Sequence, residues 1–96
     1  MQEAYKSGDI VLATAGRDEE RVFVVISVID GLYINIADGK SRRVEKPKKK
    51  KIKHIKLIKR ADQELIESVL RNGRYTNAAL RKIIDEYKKS LENSEN

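Results

Sequence analysis

The run Arg21-Val22-Phe23-Val24-Val25-Ile26-Ser27-Val28-Ile29, continued by Asp30-Gly31 and then Leu32-Tyr33-Ile34-Asn35-Ile36-Ala37, is the most strand-like part of the chain. Its first nine residues are rich in β-branched side chains and almost wholly apolar, which suits a strand covered on both faces and not a helix. Leu32 to Ala37 alternates apolar and polar side chains. Asp-Gly between two strand patterns predicts a two-residue hairpin turn with both positions at positive φ. Upstream, Gly8 to Thr14 reads as a short strand entered through a turn, and Ala15 to Glu20 as a polar loop. Downstream, Asp38-Gly39 repeats the turn signal and Arg42 to Glu45 is a candidate fourth strand. Pro47 interrupts pairing, as at an edge or loop. Ile55 and Leu57 share one face of a final strand, with Lys56 facing outward.

Five short strands in about 50 residues are too few for a large sandwich and can close into a small SH3-like barrel. The pattern changes at Ala61. Asp62 is a candidate N-cap, with Glu64 in the first turn. Leu65, Ile66, Val69 and Leu70 form one helical stripe, which Asn72-Gly73 is expected to close with glycine in the left-handed position. Thr76 is the candidate cap of a second helix with the stripe Ala79, Leu80, Ile83, Ile84, Tyr87 and Leu91. The helices are expected over residues 62–71 and 77–91, with fraying from Ser90 onward. Residues 1–60 are the expected barrel, containing the basic segment 40–60, and residues 61–96 a helical hairpin appended to the same domain.

The 96 residues include 21 Lys and Arg against 15 Asp and Glu, a net charge of +6, and 40% hydrophobic residues. A chain of this length is expected to be one domain with a small core. The charge is strongly segregated. Residues 1–39 carry a net −4, residues 40–60 a net +11, and residues 61–96 a net −1. A lysine-rich run can be no more than a solvated loop. This one is dense and set in an otherwise acidic chain, which points to a polyanion partner and release of its condensed counterions.

Zero cysteines exclude a disulfide framework, a thiolate zinc site and a cysteine nucleophile. No apolar run approaches the length of a membrane span, and the N-terminus lacks a signal-peptide profile, so a cytoplasmic protein is expected. His54 is the only histidine, which leaves no two-His metal site, and no carboxylate is identifiable to orient it as a base. Packing or an RNA contact accounts for it better. Asp18, Glu19 and Glu20 fit no calcium-loop spacing, and no Gly-rich phosphate loop occurs. No enzyme, cofactor, metal or small-molecule substrate is expected. Arg42 and Arg43 offer planar forks for phosphate, and the lysines offer point charges along a backbone. Phe23 and Tyr33 are better explained as core than as base-stacking platforms, which favours structured RNA gripped by phosphate and shape.

Gly8-Asp9-Ile10-Val11, then Ala15-Gly16-Arg17-Asp18, then Val24-Val25-Ile26-Ser27-Val28-Ile29-Asp30-Gly31 resembles the KOW motif of ribosomal proteins and transcription-elongation factors. Ile34 to Gly39, Arg42-Arg43 and the basic stretch from Pro47 to Leu57 narrow the resemblance. It is to the eukaryote- and archaeal-type large-subunit ribosomal proteins of the fourteen-e group and their small stand-alone bacterial relatives. It covers residues 8 to about 59 and implies an SH3-like barrel that binds RNA or protein. The motif's second glycine falls about where Glu20 stands. Three carboxylates in that loop repel phosphate, which moves the expected contact to residues 40–56.

The sequence thus reads as a non-catalytic, monomeric RNA-binding protein associated with ribosomal RNA. Its expected contacts are Arg17, Lys40, Arg42, Arg43, Lys46, Lys48, Lys49, Lys50, Lys51, Lys53, His54 and Lys56, of which Arg42, Arg43 and Lys48 to Lys51 are expected to face solvent. The alternative is a protein-interaction module docking on a ribosomal protein or RNA polymerase, with the lysines as steering charge.

Overall fold

In the computed structural model, which describes residues 4–94, the chain runs through five strands and then two helices. The strands are β1 (Ile10–Ala13), β2 (Val22–Val28), β3 (Tyr33–Ala37), β4 (Lys48–Lys51) and β5 (Ile55–Lys59). They form one antiparallel sheet in the order β4-β3-β2-β1-β5. A 3-10 turn, Ile52–His54, joins β4 to β5, and α1 (Gln63–Val69) and α2 (Asn77–Ser94) follow.

The apolar run in β2 is covered on both sides, as its composition demands. Phe23 and Val25 pack with Val11, Ala13, Ile34, Ile36 and Ile55 on one face of the sheet. That cluster contains only strand residues, edged by Tyr5 and Ile52, so the sheet curls until its own side chains bury one another. Val24 points the other way and packs with Ile10 and Ala37 under Ile66, Leu80, Ile83 and Ile84 of the helices. The single stripe of α2 supplies most of that cover; the helix continues to Ser94, which corrects the fraying expected from Ser90, although Leu91 is exposed.

Three local expectations are corrected. Asp30-Gly31 is not a two-residue turn. β2 ends at Val28, β3 begins at Tyr33, and neither Asp30 nor Gly31 has positive φ. The Asp30 carboxylate instead accepts hydrogen bonds from the Leu32 and Tyr33 N–H groups at 2.8 and 3.0 Å, which holds a wider loop. A bulge between Val25 and Ser27 shifts the register just before it. The second correction is the fourth strand. Arg42 to Glu45 forms turns, and β4 is the lysine run itself, paired from Tyr33↔Lys51 to Ile36↔Lys48. A row of lysines suits an edge strand, where charge discourages pairing with another chain. Third, α1 ends at Val69 with Leu70 extended, before Asn72-Gly73 is reached. Asn72 and Gly73 have φ of 53° and 72° and close a two-residue turn between Arg71 and Arg74. The predicted caps are present: Asp62 accepts from Leu65 N–H, and Thr76 from Ala79 N–H.

Candidate nucleic-acid interface

The first part of the basic segment is anchored to α2. Gly39 has φ of 81°, and a Cβ there would collide with the Asn77 carbonyl, so the loop lies directly on the start of α2. Arg81 donates to the Gly39 carbonyl at 2.7 Å. The Asn77 side chain accepts from Val44 N–H and donates to both oxygens of Glu45. That bond, with the nearby Arg43 charge, holds the Glu45 carboxyl below its ordinary range. Glu45 is the one acid in the basic segment, and it is engaged by Asn77 and by Arg43 at 3.5 Å. Asp38 organises the other end. Burial pulls its carboxyl upward, but hydrogen bonds from the Arg42 and Lys40 N–H groups and the Ser41 hydroxyl outweigh that, and its pKa lies below normal.

With the loop pinned, Arg42, Arg43, Lys46, Lys48 and Lys49 converge with Ser41 and Pro47 on one open groove of about 500 Å³. Strand alternation then divides the lysines of β4. Asn35 stands opposite Lys49 and Tyr33 opposite Lys51, so these four share a face, on which Asn35 also bonds Ser27. The Lys49 ammonium lies 4.5 Å from the centre of the Tyr33 ring. Lys50, opposite the buried Ile34, points into the sheet's curled face and is only 8% exposed. Its Nζ donates to the Ala15 carbonyl at 2.8 Å. The expectation that Lys50 faces solvent is therefore corrected: an odd-even pattern within four identical residues must turn some of them inward, and Ala15 supplies the required acceptor.

The remaining expected contacts are dispersed. Lys51 at the end of β4 and Lys53 within the 3-10 turn are exposed, while Lys56 lies on β5 at the far side of the sheet order. His54 is half-buried, and its carbonyl accepts from Thr14 N–H. Lys40 lines a different cavity, of mixed charge, with Glu20, Asp38, Arg81 and Asp85. Arg17 is exposed, but its neighbour Asp18 is buried and pairs with Arg42 at 3.2 Å, which partly neutralises that guanidinium. Glu20 has φ of 70°, the backbone region a glycine would fill without strain. Phe23 is fully buried in the core as expected, but Tyr33 is corrected: it is half-buried outside both apolar clusters, on the sheet face it shares with Lys49.

No family model matches the chain. It is similar to "Putative ribosome-binding protein YbzG" of Bacillus subtilis (strain 168), with 32% identity over 62 residues, 65% of this chain and 84% of that protein. The chain belongs to the YbzG family. Two features of the interface escaped sequence reasoning. Asn77 was hidden because a cap already stood beside it at Thr76, and nothing local marks its 33-residue reach to Val44. Tyr5, with Leu32, Tyr33 and Ile52, lines a second cavity next to Lys51 and Lys53. Pairing of β3 with β4 sets Tyr33 opposite Lys51 and the Ile52 N–H on the Leu32 carbonyl, and the fold brings Tyr5 to them from the other end of the sequence. Among the described residues no group of His, Asp and Glu could hold a metal ion, and no helix is long and apolar enough to cross a membrane.

Proposed function

We propose that this chain is a non-catalytic, cytoplasmic RNA-binding protein of the KOW type that associates with the ribosome and grips phosphates of structured ribosomal RNA. The observation that carries the reading is the convergence of Arg42, Arg43, Lys46, Lys48 and Lys49 on one groove. The name of the YbzG relative supports the ribosome as the place of binding. Support for an SH3-like barrel comes from the strand order, with β1 between β2 and β5, and from a strand-only cluster buried by curling. A wide, open basic groove suits backbone phosphates better than base edges, so affinity depends on charge and shape more than on sequence.

Salt titration tests this. Five phosphate contacts give a slope of log affinity against log salt of about −3.5 to −4.5. Replacing Lys46, Lys48 and Lys49 together with Ser is expected to flatten that slope by about two to three units. The fold is expected to survive, since none of the three is buried. An unchanged slope in a folded variant would remove the groove as the RNA site. A second reading, contact with a ribosomal protein, is favoured by the apolar tip where Val28, Ile29 and Leu32 are exposed. It predicts ribosome binding that persists when salt has abolished binding to free RNA.

A further inference from the structure

The cavity lined by Tyr5, Gly31, Leu32, Tyr33, Lys51, Ile52 and Lys53 differs in chemistry from the basic groove. Its walls are two tyrosines and two aliphatic side chains, and both charged residues at it are lysines. Leu32 is 69% exposed and lies in the same β2–β3 connection as Val28 and Ile29, which are also exposed. The volume, about 530 Å³, is within the range of small-ligand sites. Tyr33 lines the cavity while Lys49, a wall of the basic groove, sits 4.5 Å from its ring centre. The two sites therefore adjoin.

We propose that this cavity receives a single unpaired nucleobase, bulged or looped out of the RNA whose phosphates occupy the basic groove. The inference rests on the RNA-binding reading above and assigns a second site to it. A nucleobase has apolar faces for tyrosine and leucine, and the phosphates on either side of it meet Lys51 and Lys53. An apolar protein side chain would satisfy the walls but leave both lysines without a partner. Structured RNA offers such bases at bulges and loops, where stacking on aromatic rings is the usual mode of capture.

Two RNA hairpins test it: one with an uninterrupted stem, and one identical except for a single bulged 2-aminopurine. Stacking of one base on aromatic side chains is worth roughly 5- to 150-fold in affinity, and the bulged hairpin is expected to bind tighter by that factor. The 2-aminopurine fluorescence is expected to fall on binding. Leu32→Ser and Tyr5→Ala are expected to bring the bulged hairpin to within about twofold of the paired one. Neither variant alters charge, so binding to the uninterrupted stem and its salt slope stay as in the parent protein. Leu32→Ser keeps the test sound if Tyr5→Ala loosens the core edge, because Leu32 is solvent-exposed. Equal affinity for the two hairpins, or a preference that survives both variants, overturns the nucleobase site and leaves the RNA-binding reading standing. Failure to bind either hairpin overturns both. Variants that lose co-sedimentation with ribosomes while both hairpin affinities stay unchanged would assign the cavity to a ribosomal protein and overturn the proposal.

Discussion

Asp38 shows how one carboxylate prepares a basic surface. It accepts from three donors in the following four residues, and its pKa is lowered despite partial burial. A group whose folded pKa is depressed adds stability above its unfolded value and loses it as pH falls through the folded one. The contribution is therefore complete at neutral pH and disappears below the ordinary value near 3.8. Asp38→Asn is expected to be less stable at neutral pH by about 1–2 kcal/mol, the scale of hydrogen bonds to a charged acceptor. The gap to the parent protein is expected to narrow in acid. Urea unfolding at neutral pH and near pH 3 checks both points, and a gap that widens in acid would contradict the assignment. Lys50 is the opposite case, a cation taken out of the interface by a single carbonyl acceptor.

At the scale of elements, two turns exchange the roles their sequences suggest. Asp30-Gly31 has the hairpin signature but negative-φ geometry, while Asn72-Gly73 forms the two-residue turn. A Cβ added at Gly31 or at Gly73 meets nothing within 4 Å, so backbone conformation alone separates the two. Gly73→Ala is expected to cost about 1–2 kcal/mol because L-residues resist the left-handed region. Gly31→Ala is expected to be neutral or to stabilise by up to about 1 kcal/mol through the unfolded chain. Thermal unfolding of both variants measures the contrast, and equal losses would restore the two-residue turn at Asp30-Gly31.

Over the whole molecule, Asp9 ties the strands to the helices. Its buried carboxylate accepts from the N–H groups of Lys6 and Ala61 and from the Arg60 guanidinium at 2.8 Å. Ala61 is the junction between β5 and α1, so Asp9 helps to fix where the helices leave the sheet. Asp9→Ala leaves two N–H groups and a guanidinium without this acceptor, and a loss of about 2–4 kcal/mol is expected, tempered because Arg60 can rehydrate. Denaturant unfolding measures it. A loss under about 0.5 kcal/mol would show that the junction holds without Asp9.

Composition and local pattern were sufficient for β1, β2, β3 and β5, the helix caps and the segregation of charge, because each depends on neighbours within a few residues, but not for β4, which is the lysine run and not Arg42 to Glu45. The doubly covered β2 follows from its own apolar run, and Asp62 and Thr76 cap their helices through bonds three residues long. The interface was legible as a basic segment but not as a surface. Four consecutive lysines are identical in sequence, and only pairing with β3 turns Lys50 inward and Lys49 and Lys51 outward. The wide loop at Asp30, the buried pairing of Asp18 with Arg42, and the meeting of Tyr5 with Tyr33 likewise depend on strand register and sheet curvature. Those are set by burying two apolar clusters at once, a condition on the whole chain that no short window of residues contains.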